Sequence, residues 1–134
     1  MTRYYLDTSI WLDYYEKREK NGEVALKLIN KIIKENCIIG YSDLGVGELK
    51  NIGYTKREIN EILRVVKPQN SRRLHSSRAQ LEEVNKITKI RNIPRKDVLH
   101  AILCRDNDFQ LIATDKHFEQ LKNITHAKRP VDII

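Results

Sequence analysis

Disulfides are not what holds this chain together. Its two cysteines, Cys37 and Cys104, are far apart in sequence, form no CxxC pair, and each sits in an apolar stretch, NCIIGY and AILCRD. They read as reduced core thiols. No apolar run approaches the roughly 20 residues a membrane span needs, and the first residues are polar, so no secretory signal is expected and the expected compartment is the cytoplasm. Low-complexity tracts, internal repeats and a dividing linker are all missing, which leaves no case for bulk disorder or a solenoid. At 134 residues, 40% of them hydrophobic, residues 1–134 are expected to fold as one domain around one core.

Acidic charge is also in short supply. Against 25 lysines and arginines stand 18 aspartates and glutamates, a net charge of +7. That balance favours anionic partners, nucleic acid first, although a merely soluble basic protein has the same balance. The few acids there are fall at telling places.

Residues 3–7 read as a short buried strand, RYYLD, followed by a helical turn over 10–15. Asn21-Gly22 is expected to break the pattern. From residue 23, Val24, Leu28, Ile32 and Ile33, with Ala25 and Ile29, repeat at helical spacing. A second strand is expected at 37–41, then a helix capped by Ser42-Asp43, and another opened by the capping-box pattern T-K-R-E from Thr55. A third strand is read at 72–75. A helix capped by Ser76-Ser77 and one opened by Pro94 come next. Leu111 to Thr114 reads as a fourth strand, followed by a short helix at 118–121 and a last strand at 124–127 or 131–134. Short apolar strands alternating with amphipathic helices predict a three-layer α/β/α sandwich with a mostly parallel sheet of four to five strands.

In such a sheet, ligands bind beyond the carboxyl ends of the strands. Asp7 ends the first strand and Asp115 the fourth. Glu48 follows the second within the next helix, and Asp97 lies in the first turn of the helix opened by Pro94. Taken singly, Asp7 also fits a turn, Glu48 an exposed helix position, Asp97 a favourable helix N-terminus and Asp115 a cap. Taken together, four converging carboxylates would repel one another unless a hard divalent cation such as Mg²⁺ lay among them. A pair of such ions stabilises both the attacking and the leaving oxygen of a phosphodiester displacement.

The segments YYLDTSIWLDYY, SDLGVGELKN, RKDVLHAILC and IATDKHF, in this order, resemble the PIN domain family, in particular its small VapC-like toxin members. The resemblance implies metal-dependent endoribonuclease activity by an activated water. It implies Asp7 and Asp97 as primary ligands of Mg²⁺ or Mn²⁺, with Glu48 and Asp115 acting through water or positioning the nucleophile. Thr8, Ser9 and Thr114 would then hydrogen-bond the ligands from behind. An RNA substrate, a cognate antitoxin protein and a homodimer are the partners it implies. A non-catalytic RNA- or protein-binding module of the same fold is the alternative. RNA contacts are expected from Arg72, Arg73, Arg78, Arg95, Lys96 and Lys116, if these are not simply solvated charges. Trp11, Tyr14 and Tyr15 are expected to pack in the core or at a dimer interface rather than stack on bases. His100 is expected to be a packed or supporting residue rather than a ligand, and His117 a residue of the local helix. Gly45 and Gly47 either admit a close backbone approach or distort their helix. A receiver would want adjacent acids after the first strand and a haloacid-dehalogenase-like phosphatase a DxD; Asp7-Thr8-Ser9 fits neither.

Overall fold

The computed structural model describes residues 2–134. Four strands, β1 (Arg3–Leu6), β2 (Ile38–Ser42), β3 (Ser71–Leu74) and β4 (Gln110–Ile112), form one sheet in the order β3-β2-β1-β4, with every pairing parallel. Six α-helices join them: α1 (Thr8–Glu16), α2 (Glu19–Lys34), α3 (Asp43–Ile52), α4 (Lys56–Leu63), α5 (Arg78–Ile90) and α6 (Arg95–Asn107). The side-chain alternation of a strand sends Tyr5 and Leu111 to one face, under α5 and α6, and Leu6 and Ile112 to the other, under α1, α2 and α4. Both faces are covered, which is why the strands read as apolar runs rather than as alternating ones.

Local signals start the helices. Ser42 caps α3 by accepting from the Gly45 amide at 3.1 Å. Thr55 and Ser77 open α4 and α5 with full capping boxes closed by Glu58 and Gln80. Trp11 is buried, with Tyr14 and Tyr15 half-covered against the same cluster, so the core expectation holds for Trp11. Cys37 and Cys104 are both buried free thiols. Gly45 and Gly47 lie in regular helix, and neither is demanded by crowding: an added Cβ meets only an ordinary 3.5 Å contact at the first and open space at the second. No helix among the described residues is long and apolar enough to cross a membrane.

Two expectations fail. Asn21-Gly22 does not interrupt a helix; both residues lie in the first turns of α2, which begins at Glu19. Nor is there a fifth strand at 124–127 or 131–134 among the described residues. Only Lys128 pairs with β4, as a single parallel bridge to Ile112, and Pro130 opens a 3₁₀ turn two residues later. Proline has no amide hydrogen to extend a ladder, so pairing stops there.

The strand order reverses between β1 and β4. From β1 the chain steps outward through β2 to β3, then returns through α5 and α6 to lay β4 on the other side of β1. An open parallel sheet leaves a crevice at the carboxyl end of such a switch point. Asp7 follows β1 directly, and Asp115 follows β4 after Ala113 and Thr114.

Candidate active site

Asp7 is the residue where strand becomes helix. Its backbone is extended, its amide donates to the Ile112 carbonyl at 3.0 Å, and its own carbonyl accepts from Ile10 to start α1. The side chain is left free to face the crevice and is buried. Ser9 donates to its Oδ2 at 3.0 Å. Burial raises the Asp7 carboxyl above the ordinary carboxylate range; the field of His100 and the bond from Ser9 work the other way, and the charge of Glu48 adds to the rise.

Glu48 comes from α3. Thr8 donates to its Oε1 at 3.1 Å, and His100 Nε2 lies 2.6 Å from the same oxygen. Partial burial works against ionisation of Glu48, but the bond and field of His100, then Thr8 and Lys96, hold it below its ordinary value. His100 is 1% exposed and stands 3.8 Å from Asp7 Oδ1, so one imidazole edge serves both acids. Behind it, Nδ1 is 2.6 Å from the Tyr5 hydroxyl, which is 2.6 Å from Ser42 Oγ. The Gly45 N–H donates to Ser42 Oγ, and Ser42, Tyr5, His100 and Glu48 follow as one continuous hydrogen-bonded chain. Burial keeps the Tyr5 hydroxyl protonated, well above its usual range. Tyr5→Phe strips this chain of its middle member, leaves His100 Nδ1 buried without a partner and leaves Ser42 Oγ with only the Gly45 amide. We expect it to lower stability by about 1 to 2 kcal/mol in urea unfolding, with the slope of the transition unchanged.

Asp97 and Asp115 form the other half. Helix α6 runs straight into β4, so its first turn, with Asp97, lies at the carboxyl end of the sheet. Asp115 caps the 3₁₀ turn Lys116–Leu121 by accepting from the His117 amide at 2.9 Å. That turn swings the His117 ring inward, and its Nδ1 lies 3.1 Å from Asp97 Oδ2 and 3.1 Å from Asp115 Oδ1. The three ligand-capable atoms all fall within 4.8 Å of one another. Desolvation raises the Asp97 carboxyl, and the charges of Asp115 and then Asp7 push it further. The two halves therefore feel each other across the crevice.

The expected residues are thus distributed unevenly. Thr8 and Ser9 bond to Glu48 and Asp7, whereas Thr114 is exposed and makes no side-chain hydrogen bond among the described residues. Lys96 is close enough to act on Glu48 electrostatically, and Lys116 lines the groove beside Asp115. The other cations are engaged with neighbours: Arg72 with the Gln69 and Ser71 carbonyls, Arg73 with Asp43, Arg78 with Glu82 and Arg95 with Asn85. His117 corrects the sequence reading. It does lie in the local helix, but it also bridges two site carboxylates. Its place two residues after a strand-ending aspartate was the available signal.

The donor set fits a divalent cation. It is rich in carboxylate oxygen, reaches solvent on the Asp115 side, and contains acids whose mutual repulsion a positive ion would relieve. In comparison with known proteins, the PIN domain family model matches residues 4–124. The crystal structure of VapBC2 from Rickettsia felis, bound to a DNA fragment from its promoter, aligns with a TM-score of 0.69 at 18% identity, covering 96% of this chain and 98% of that one. No curated protein matches the chain significantly.

Proposed function

Because this chain belongs to the PIN domain family, we propose that it is a divalent-metal-dependent endoribonuclease, the toxin of a toxin–antitoxin pair, acting in the cytoplasm as a homodimer. The observation that carries the nuclease reading is the carboxylate set at the β1/β4 switch point: Asp7 and Glu48 around His100, Asp97 and Asp115 around His117. The toxin reading is supported by likeness of fold to a VapBC complex, and the antitoxin partner follows by analogy with it.

Asp7, Asp97, Glu48 and Asp115 are the residues that would hold the ion, which we take to be Mg²⁺ or Mn²⁺. When bound, such an ion supplies Lewis acidity for a phosphodiester oxygen and lowers the pKa of a coordinated water. The chain's own groups prepare that step. Ser9 fixes the Asp7 carboxylate in rotation, and Thr8 and His100 together fix Glu48, so neither acid has to find its orientation when RNA arrives. Glu48 is held ionised and is thereby suited to orient an attacking water or take its proton. Lys96 and Lys116 flank the acids as counter-charges for phosphates on either side of the scissile one.

A fluorogenic single-stranded RNA tests the reading. Cleavage is expected with Mg²⁺ or Mn²⁺, none with EDTA, and recovery when the metal is returned. Cleavage that persists in EDTA rejects the metal site, and RNA binding without cleavage under every metal indicates an adapter instead.

A further inference from the structure

Magnesium asks for oxygen donors, and carboxylates and water meet that need without help. The imidazole among them is surplus to such a site, and its position is specific. His117 Nδ1 is 3.1 Å from one oxygen of Asp97 and 3.1 Å from one oxygen of Asp115. Neighbouring donors on an octahedral ion, each about 2.1 Å from the metal, stand about 3.0 Å apart. The same spacing serves a hydrogen bond when no ion is present, so the ring can exchange one role for the other without moving far.

The backbone holds it there. Asp115 accepts from the His117 amide, so the acid that would ligate the ion also fixes the start of the turn that carries the imidazole. His100 differs in kind. It is buried, with Nδ1 engaged by Tyr5 and Nε2 by Glu48, and so has no nitrogen left to offer. His117 is half exposed, so its ring can reach a solvated ion.

We infer that His117 is a direct nitrogen ligand, and that Asp97, Asp115 and His117 make this a site for a first-row transition ion in preference to Mg²⁺. The inference rests on the metal-dependent reading above and narrows it. Imidazole binds borderline transition ions more readily than it binds magnesium, whereas carboxylates alone discriminate little between Mg²⁺ and Mn²⁺.

Mn²⁺ itself is the probe, and binding is read without RNA. Electron paramagnetic resonance of Mn²⁺ added to the wild-type chain should show loss of the free-ion signal and, in pulsed spectra, ¹⁴N modulation from a bound imidazole. His117→Gln should abolish the modulation and weaken Mn²⁺ binding by at least about tenfold, the lower end of what is lost when a group that merely supports a ligand is removed. Mg²⁺ affinity, measured by competition, should change little, so the preference for Mn²⁺ shrinks. Absence of nitrogen modulation in the wild type, or its survival in His117→Gln, overturns the inference. Asp97→Asn separates this from failure of the broader reading. If it removes Mn²⁺ binding while His117→Gln leaves the Mn²⁺-to-Mg²⁺ ratio untouched, only the nitrogen ligand is wrong. If the wild type binds no Mn²⁺, or Asp97→Asn binds it as well as the wild type does, the metal site falls too.

Discussion

Asp97→Asn should yield a folded protein that no longer cuts RNA, with kcat/KM lowered by about a thousandfold, because several kcal/mol of transition-state stabilisation depend on the ion that residue would hold. The same change should make the ion-free protein more stable at neutral pH. Desolvation and the charges of Asp115 and Asp7 raise the Asp97 carboxyl above its unfolded value. A group shifted in that direction contributes stability that is complete below its unfolded pKa and is lost as pH rises through the folded one. At neutral pH the wild type therefore carries a penalty that asparagine does not. Thermal unfolding in EDTA should show the variant melting higher at neutral pH, with the advantage gone below the ordinary carboxylate range. Added Mn²⁺ should reverse the order, since it stabilises only the chain that binds it. A variant that cuts at the wild-type rate, or that melts lower than wild type in EDTA at pH 7, contradicts this account.

The second large effect is structural and runs against helix propensity. Gly22 lies inside α2, where alanine would ordinarily gain about 1 kcal/mol. We expect Gly22→Ala to lose about 3 kcal/mol instead, within the range found when a packed site is forced to take an extra carbon. Helices α1 and α2 are separated by only two residues, with Lys17 and Glu19 both in the left-handed region. The turn doubles back so tightly that a Cβ on residue 22 would lie 2.7 Å from the Lys17 carbonyl carbon and 3.0 Å from the Asp13 oxygen. Both are backbone atoms, which cannot rotate away. Urea unfolding checks it: a midpoint equal to or above wild type would show that the turn can open.

Residue 22 also illustrates what the sequence could and could not say. Asn-Gly reads as a breaker because glycine's local preference is all a linear pattern offers; that the glycine serves a neighbouring turn is a tertiary fact. The capping box at Thr55 and the cap at Ser76-Ser77 were legible because the partners of such a cap lie within three residues. Three strands were visible as apolar runs, since a buried parallel sheet needs such runs whatever surrounds it, whereas the edge strand β3, Ser-Arg-Arg-Leu, carries only one apolar residue. The apolar residues at 124–127 and 131–134 look the same on paper, yet they serve helical turns and core packing beside a single bridge. The candidate acids stood out by their places at strand and helix ends. His100 was read as a packed or supporting residue and is one, though its partner Tyr5, 95 residues away, was not legible; the bond from His117 to Asp97 spans 20 residues and escaped the reading. Which of several cations would be tied to neighbours, as Arg73 is to Asp43, was equally invisible.

Strand β4 is the last to be made and pairs with the first. A polypeptide emerging from a ribosome has therefore already exposed the segments bearing Asp7, Glu48 and Asp97 while the crevice still lacks one wall. Only when the stretch through His117 has cleared the exit tunnel can β4 dock beside β1 and bring Asp115 and His117 up to Asp97. Synthesis order thus completes the crevice last, and a chain stopped anywhere before Gln110 lacks β4, Asp115 and His117 altogether.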